Sequence, residues 1–358
     1  MNNSRLHLHP LHGRGASANP KNRFEAVHYE AVGETLADEA ECSPRTQFLP
    51  DSSKSIIATN DSPDIPFDCS INPYRGCEHG CAYCYARPTH EYLGLSAGLD
   101  FETRILVKHD APALLRAALM AKSWQPKNIA FSGVTDCYQP IERKLRLTRQ
   151  CLQVLQEFKN PASFVTKNAL IARDLDVLRD MAAWGGMRVF ISITTLDSQL
   201  TRILEPRTSV PARRLWAVEQ LANAGVPVGV MVAPVIPAIT DHEMLGIMKA
   251  ARDAGAISAG YVALRLPHGM KELFESLLEQ HFPDRREKVL NRVREMHGGE
   301  LYRSTFGNRQ RGEGEFADQF SQMFKLGCER FGLNTHLPPL NCSLFRRPLA
   351  EGEQLPLF

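Results

Sequence analysis

The chain has 358 residues, 43% hydrophobic and 23% charged, with a formal net charge of +2. That length allows one large domain with extensions or two domains, and the composition is that of a globular protein able to bury a sizeable core. The near-neutral balance argues neither for nor against nucleic acid and leaves room for a local basic face. No apolar run approaches the ~18–20 residues that span a bilayer, and the opening MNNSRLHLHPLHGRG has no apolar signal core. The nine cysteines are therefore expected in a reducing, cytoplasmic setting, as ligands or free thiols rather than disulfides.

Residues 1–64 are rich in Asn, Ser, Pro, His and charge, and read as an irregular N-terminal arm. Within it, Gly13 to Glu25 can order against the core, and His7, His9 and His12 offer weak metal binding or plain flexible-arm chemistry. Residues 65–283 carry the alternating pattern. Its strands are Ile105 to Lys108, Asn128 to Ser132, Ser163 to Thr166, Arg188 to Ile193, Val226 to Val232 and Gly260 to Leu264. The helices between and after them are Ala111 to Ser123, Arg143 to Phe158, Ala169 to Trp184, Pro211 to Ala224, Asp241 to Ala254 and Met270 to Gln280. Short continuous apolar strands suit a parallel sheet covered on both faces. Six strand–helix units in a row predict an α/β fold, a partial (β/α)6 TIM-like barrel with its site at the C-terminal ends of the strands. Residues 284–358 form a helical C-terminal extension, with helices Arg285 to Met296 and Phe316 to Phe331 around a Gly/Arg-rich turn, Gly307 to Glu315.

The chemistry is concentrated in CSINPYRGCEHGCAYCYARP, Cys69 to Pro88, where Cys77, Cys81 and Cys84 follow the spacing C-x3-C-x2-C. A structural zinc site takes four Cys/His ligands, commonly as two separated pairs; His79 and Cys69 are nearby, but no second C-x2-C pair exists. A redox C-x2-C pair explains Cys81 and Cys84 and leaves Cys77 idle. An iron–sulfur cluster takes four thiolates, and with three of them one iron stays open to a ligand.

C-x3-C-x2-C with an aromatic residue, Tyr83, before the last cysteine resembles the radical S-adenosylmethionine (radical SAM) motif. The stretches GCEHGCAYCYAR, GVTDCYQPIE, VTKN, SITTLD, LEPR and VMVAPVIP resemble the radical SAM proteins related to spore photoproduct lyase, from about Ile65 to Leu266. The resemblance implies a [4Fe–4S] cluster on Cys77, Cys81 and Cys84, with S-adenosylmethionine on the open iron. It implies reductive cleavage to a 5′-deoxyadenosyl radical that abstracts hydrogen from a substrate the sequence does not name. It also implies an electron donor such as a flavodoxin or ferredoxin.

S-adenosylmethionine presents an ammonium, a carboxylate, a ribose and an adenine, each needing a partner at the strand ends. Gly133 allows close backbone approach, and Thr135 and Asp136 are placed to accept from the ammonium, with a plain helix-capping turn as the alternative. Lys167 is the expected carboxylate partner, against a solvated surface charge. Ser192 and Thr194 are candidates for the ribose, Val232 and Ala233 for the adenine, and Tyr83 or Tyr85 for ordering cofactor or cluster; β-propensity and packing account for the same residues. Arg207 and Arg265 can meet the cofactor carboxylate or a substrate phosphate, or form rim ion pairs.

The sequence departs from spore photoproduct lyase at the hydrogen-donating cysteine. The matching position is Gly133, and the nearest thiol, Cys137, is a displaced donor candidate or a buried free thiol. Repair or modification of nucleic acid is one alternative, predicting a basic cleft beside the cluster. A non-catalytic zinc protein is another. Cys328 and Cys342 match no cluster spacing; Arg303, Arg309, Arg311, Arg346 and Arg347 can touch a phosphate backbone or, with Glu313, Glu315 and Asp318 among them, form a mixed solvated surface.

Overall fold

The computed structural model describes residues 11–25 and 44–348. Among the described residues ten strands form in chain order: β1 (Gln47–Pro50), β2 (Ile57–Thr59), β3 (Cys69–Ile71), β4 (Tyr74–Arg75), β5 (Arg104–Val107), β6 (Ile129–Phe131), β7 (Ala162–Thr166), β8 (Met187–Ser192), β9 (Val228–Val235) and β10 (Ser258–Ala263). Seven of them make one sheet in the order β10-β9-β8-β7-β6-β3-β2. From β3 to β10 every neighbouring pair is parallel, and β2 is an antiparallel edge on β3. This is the partial barrel expected from the alternation, with six parallel strands and one change of membership.

Ile105 to Lys108 was the expected first strand; the structure corrects this. β5 lies in a separate three-stranded sheet, parallel to β1 and antiparallel to β4. The first barrel strand is β3, three wholly buried residues paired with β6. A three-residue apolar run carries too little periodicity to identify. The cysteine motif therefore follows the first barrel strand, at the same end as the tips of the others.

The helices are α1 (Leu99–Thr103), α2 (Ala111–Met120), α3 (Glu142–Leu145), α4 (Leu147–Phe158), α5 (Leu175–Ala183), α6 (Ser198–Leu204), α7 (Pro211–Asn223), α8 (Met244–Asp253), α9 (Met270–His281), α10 (Arg286–Met296) and α11 (Glu315–Phe331). The α4 face of Leu147, Cys151, Leu152, Leu155 and Phe158 is buried at helical spacing. It covers the sheet where Phe131 and Phe164 stack with centroids 4.1 Å apart. Each such side chain contributes about 1.5–3 kcal/mol by leaving water. The short α6 was not anticipated; Asp197 caps it by accepting from Gln199 N at 2.7 Å and Leu200 N at 3.3 Å.

Burial on both faces holds for one face only. Alternate residues Ala162, Phe164, Thr166, Val189 and Ile191 face the helices and are buried. Their neighbours Ser163, Val165 and Phe190 point to the other face and stay half-buried or exposed, Val165 at 38%. That open inner face leads up to the cysteine loop.

The arm and tail contribute to this architecture. Arg14, Ala16, Ser17 and Asn22 are buried against the loop and its flank, so Gly13 to Glu25 is ordered on the core; His7 and His9 lie outside the described residues. The Gly/Arg-rich turn joins the two ends of the partial barrel. Gln310 O accepts from Ala263 N at 2.8 Å, while Asp64, before β3, accepts from Gly307 N at 2.7 Å and pairs with Arg309 at 2.6 Å. The tail arginines are used internally: Arg303 pairs with Glu313 at 2.8 Å, and Arg347 donates to Ala121 O at 2.9 Å.

Candidate active site

The loop after β4 is shaped by two glycines. Gly76 and Gly80 have φ of 81° and 66°, and a Cβ on Gly80 would sit 2.7 Å from Glu102 Oε2. Gly15 of the arm presses on the same loop; its Cβ would lie 1.6 Å from Gly80 O. Beneath, Arg87 and Glu102 form an ion pair with both side chains fully buried. Arg87 Nε donates to Cys81 O at 3.0 Å, Cys77 N to Phe101 O at 2.8 Å and Ala82 N to Leu204 O at 3.0 Å. These contacts place Cys77 and Cys81 buried and Cys84 half-buried, at the open end.

The three thiols lie within electrostatic reach of one another. Burial pushes Cys77 well up, and Asp136, Cys81 and Cys84 add to the push. Burial likewise raises Cys81, with Glu205 adding and Lys167 opposing. Burial disfavours the thiolates of Cys77 and Cys81, and a metal centre supplies the local positive charge that offsets this. Among the described residues no group of three His, Cys, Asp or Glu side chains is gathered to hold one metal ion. A four-iron cluster spreads its thiolates over separate irons, so the donor set fits that group.

His79, inside the motif, ties the loop to the strand ends. Asn168 Oδ1 accepts from Leu170 N at 3.0 Å and Ser209 Oγ at 3.1 Å, so its amide nitrogen faces His79 Nε2, 3.1 Å away, and donates to it. The imidazole proton then sits on Nδ1, aimed at Asp136 Oδ2 at 3.4 Å. Asp136 also accepts from Thr166 Oγ1 at 2.8 Å, Lys167 N at 2.8 Å and Tyr138 N at 2.9 Å. Burial raises this carboxyl, but His79 and the backbone donors hold it below its usual value. Four donors fill the lone pairs of Asp136. Thr135 is buried, its hydroxyl donating to Tyr74 O at 2.9 Å. Both residues expected to meet an ammonium are thus engaged within the protein, as braces between loop and strands.

A second buried network lies beside Cys81. Tyr83 is 6% exposed, and its hydroxyl meets Glu205 Oε1 and, at 3.2 Å, Thr194 Oγ1. Glu205 also accepts from Thr194 at 2.7 Å and pairs with the buried Arg214. Arg214 donates to Ser192 O at 2.9 Å and Ser209 O at 2.7 Å. Burial raises the Glu205 carboxyl, but Arg214 and Lys167 bring it down to about 2. Ser192 and Thr194 are buried here, and Val232 is 1% exposed in the core.

The mouth is lined by half-buried groups. Lys167 Nζ lies 3.3 Å from Ala233 O and 5.9 Å from the Tyr83 ring centroid. Across Cys84, Tyr85 is 45% exposed; its hydroxyl donates to Gly133 O at 2.9 Å, and Arg265 lies 4.1 Å over its ring. Gly133 sits against β3, where a Cβ would meet Ser70 Oγ at 3.2 Å. Arg207 belongs to the rim, 3.7 Å from Glu78. Cys137 lies below the mouth with no exposed surface, in the helix-facing core, accepting from Ser132 Oγ at 3.2 Å. Sequence reasoning missed Glu205, Arg214, Asn168 and the bridging role of His79. A histidine inside the motif was the available signal for His79; nothing in linear spacing joins Glu205 to Arg214.

Six parallel strands, a three-thiol loop after the first, and cationic side chains at the tips make up the open end of the barrel. Residues 71–251 match the family model of the Radical SAM superfamily, and the chain belongs to that superfamily. An uncharacterized protein of Mycobacterium tuberculosis is 35% identical over 238 residues, 65% of this chain and 68% of its own length. An uncharacterized protein of Methanocaldococcus jannaschii is 27% identical over 224 residues, covering 62% and 80%. Among solved structures, a spore photoproduct lyase variant with bound AdoMet and dinucleoside spore photoproduct aligns with TM-score 0.55 at 19% identity, over 79% of this chain and 78% of the other. That likeness is one of fold. No helix among the described residues is long and apolar enough to cross a membrane.

Proposed function

We propose that this chain is a radical SAM enzyme in which Cys77, Cys81 and Cys84 hold a [4Fe–4S] cluster and the barrel mouth holds S-adenosylmethionine. The observation that carries the reading is the set of three thiols on a braced loop at the open strand ends, in a chain of that superfamily. The chemistry supplied when both groups are bound is one-electron cleavage of the sulfonium to methionine and a 5′-deoxyadenosyl radical, which takes a hydrogen atom from the substrate.

The chain's own groups bind, orient and exclude water. Lys167, beside Cys81 and free of any carboxylate within ion-pair distance among the described residues, binds the cofactor carboxylate. The carbonyls of Gly133 and Ala233 offer backbone acceptors at the mouth, and the Tyr83 ring forms a wall between Lys167 and the core. Asp136, His79 and Asn168 hold the loop in register with β6 and β7. The inner face near Val165 is the space for the reacting part of the substrate.

The test uses protein purified without oxygen, reconstituted with iron and sulfide, and reduced with dithionite in the presence of S-adenosylmethionine. Wild type is expected to form 5′-deoxyadenosine and the Cys77→Ala/Cys81→Ala/Cys84→Ala variant none. Equal yields from the two, or one tightly bound zinc per chain in place of a four-iron cluster, overturns the reading.

A further inference from the structure

The two tyrosines flanking Cys84 each carry a cation on their ring, and the two pairs differ in one respect. Tyr83 turns inward with Lys167, on the side of the buried carboxylate Glu205, whose ion-pair partner is Arg214 and which feels Lys167 only at longer range. Tyr85 turns outward with Arg265 stacked at 4.1 Å. Among the described residues no carboxylate lies within ion-pair distance of Arg265; its Nε is buried with no acceptor, and its side chain engages Tyr85. An arginine Nε–H deprived of an acceptor and of water is a buried donor left unsatisfied. Three other buried or half-buried guanidinium groups of this site each face a carboxylate: Arg87 faces Glu102, Arg214 faces Glu205 and Arg207 faces Glu78.

The stack also fixes where the charge points. Tyr85 is pinned by its hydroxyl to Gly133 O beyond β6, and Arg265 emerges two residues beyond β10. The pair therefore bridges the first loop and the last strand across the open mouth. The stacked guanidinium loses little further freedom on binding, and its fork suits a planar or tetrahedral oxyanion. Lys167 lies on the Cys81 side and already serves the cofactor carboxylate in the reading above.

We propose that Arg265, held on the exposed ring of Tyr85, is the subsite for an oxyanion of the substrate, a phosphate or a carboxylate, rather than a contact to the cofactor. The substrate class is thus an anionic molecule that enters over Tyr85 and lays its charge on Arg265. Its reacting carbon then reaches the inner face of the sheet. This rests on the radical SAM reading for the reaction but not for the binding event.

The experiment is equilibrium dialysis of labelled inorganic phosphate, acetate and thymidine 5′-monophosphate against reconstituted protein: wild type, Arg265→Gln and Arg265→Lys. At least one probe is expected to bind wild type at least tenfold more tightly than Arg265→Gln, with Arg265→Lys between them because it keeps the charge and loses the fork. Preference for phosphate over acetate identifies the phosphate source. Equal binding by wild type and Arg265→Gln overturns the proposal. So does loss of S-adenosylmethionine affinity in Arg265→Gln, measured on the same samples, because it moves Arg265 to the cofactor. Thermal melting of Arg265→Lys beside wild type guards against an unfolded variant. If phosphate binding depends on Arg265 but wild type forms no 5′-deoxyadenosine, the subsite stands and the radical reading falls.

Discussion

Glu205→Gln tests whether the buried network beside Cys81 is a carboxylate-centred brace. Glu205 is 1% exposed and is contacted by Arg214, Tyr83 and Thr194. Its pKa is about 2 in the folded chain against 4.5 for an ordinary glutamate. The difference, at 1.36 kcal/mol per pKa unit, corresponds to about 3 kcal/mol of stability at neutral pH. Removing one partner of a buried ion pair gives the same order, ~3–5 kcal/mol, because Arg214 is left uncompensated. The folded pKa is depressed, so this stability is fully present above about pH 4.5 and is lost as pH falls towards about 2. Urea unfolding of the apo chain, followed by tryptophan fluorescence, should place Glu205→Gln about 3 kcal/mol below wild type at pH 7. The gap should narrow as pH falls below about 4.5. A gap under about 1 kcal/mol at pH 7, or one unchanged below pH 4.5, refutes the argument.

Two further outcomes follow from the loop and the mouth. Lys167→Ala should weaken S-adenosylmethionine binding by roughly ten- to a hundredfold, the worth of a charge-assisted hydrogen bond. Iron content should stay at the wild-type level, and unchanged affinity by titration calorimetry would return Lys167 to a plain surface charge. Gly15→Ala drives a methyl group to 1.6 Å from Gly80 O, so the arm must leave the cysteine loop or the loop must shift. Reconstituted iron per chain should fall and the arm should become protease-sensitive; normal iron loading would show that the arm is dispensable for holding the thiols.

What was legible in this sequence followed from how strongly local pattern constrains the chain. Helices such as α4 and α8 carry a buried stripe at helical spacing, and their expected spans match the structure to within a few residues at each end. Strands β6 to β10 sit between those helices, so their order was implied by the alternation. β3 escaped because three residues carry no period, and β5 took its place because an apolar quartet before a helix looks the same in either sheet. The site divides along a similar line. The thiols are legible because their chemistry needs them close in sequence as well as in space. Glu205 and Arg214 meet through a turn and one helix, and Asp136 meets His79 across 57 residues of chain. Such pairings follow from strand order, not from residue type. They explain why Thr135 and Asp136 read as open ligands in one dimension and are engaged braces in three. Arg265 is the converse case. Its position beyond the last barrel strand was readable, but its significance lies in the carboxylate it lacks while Arg87, Arg214 and Arg207 each have one. A missing partner is a property of the folded surroundings, and it directs attention to the ligand that would supply it.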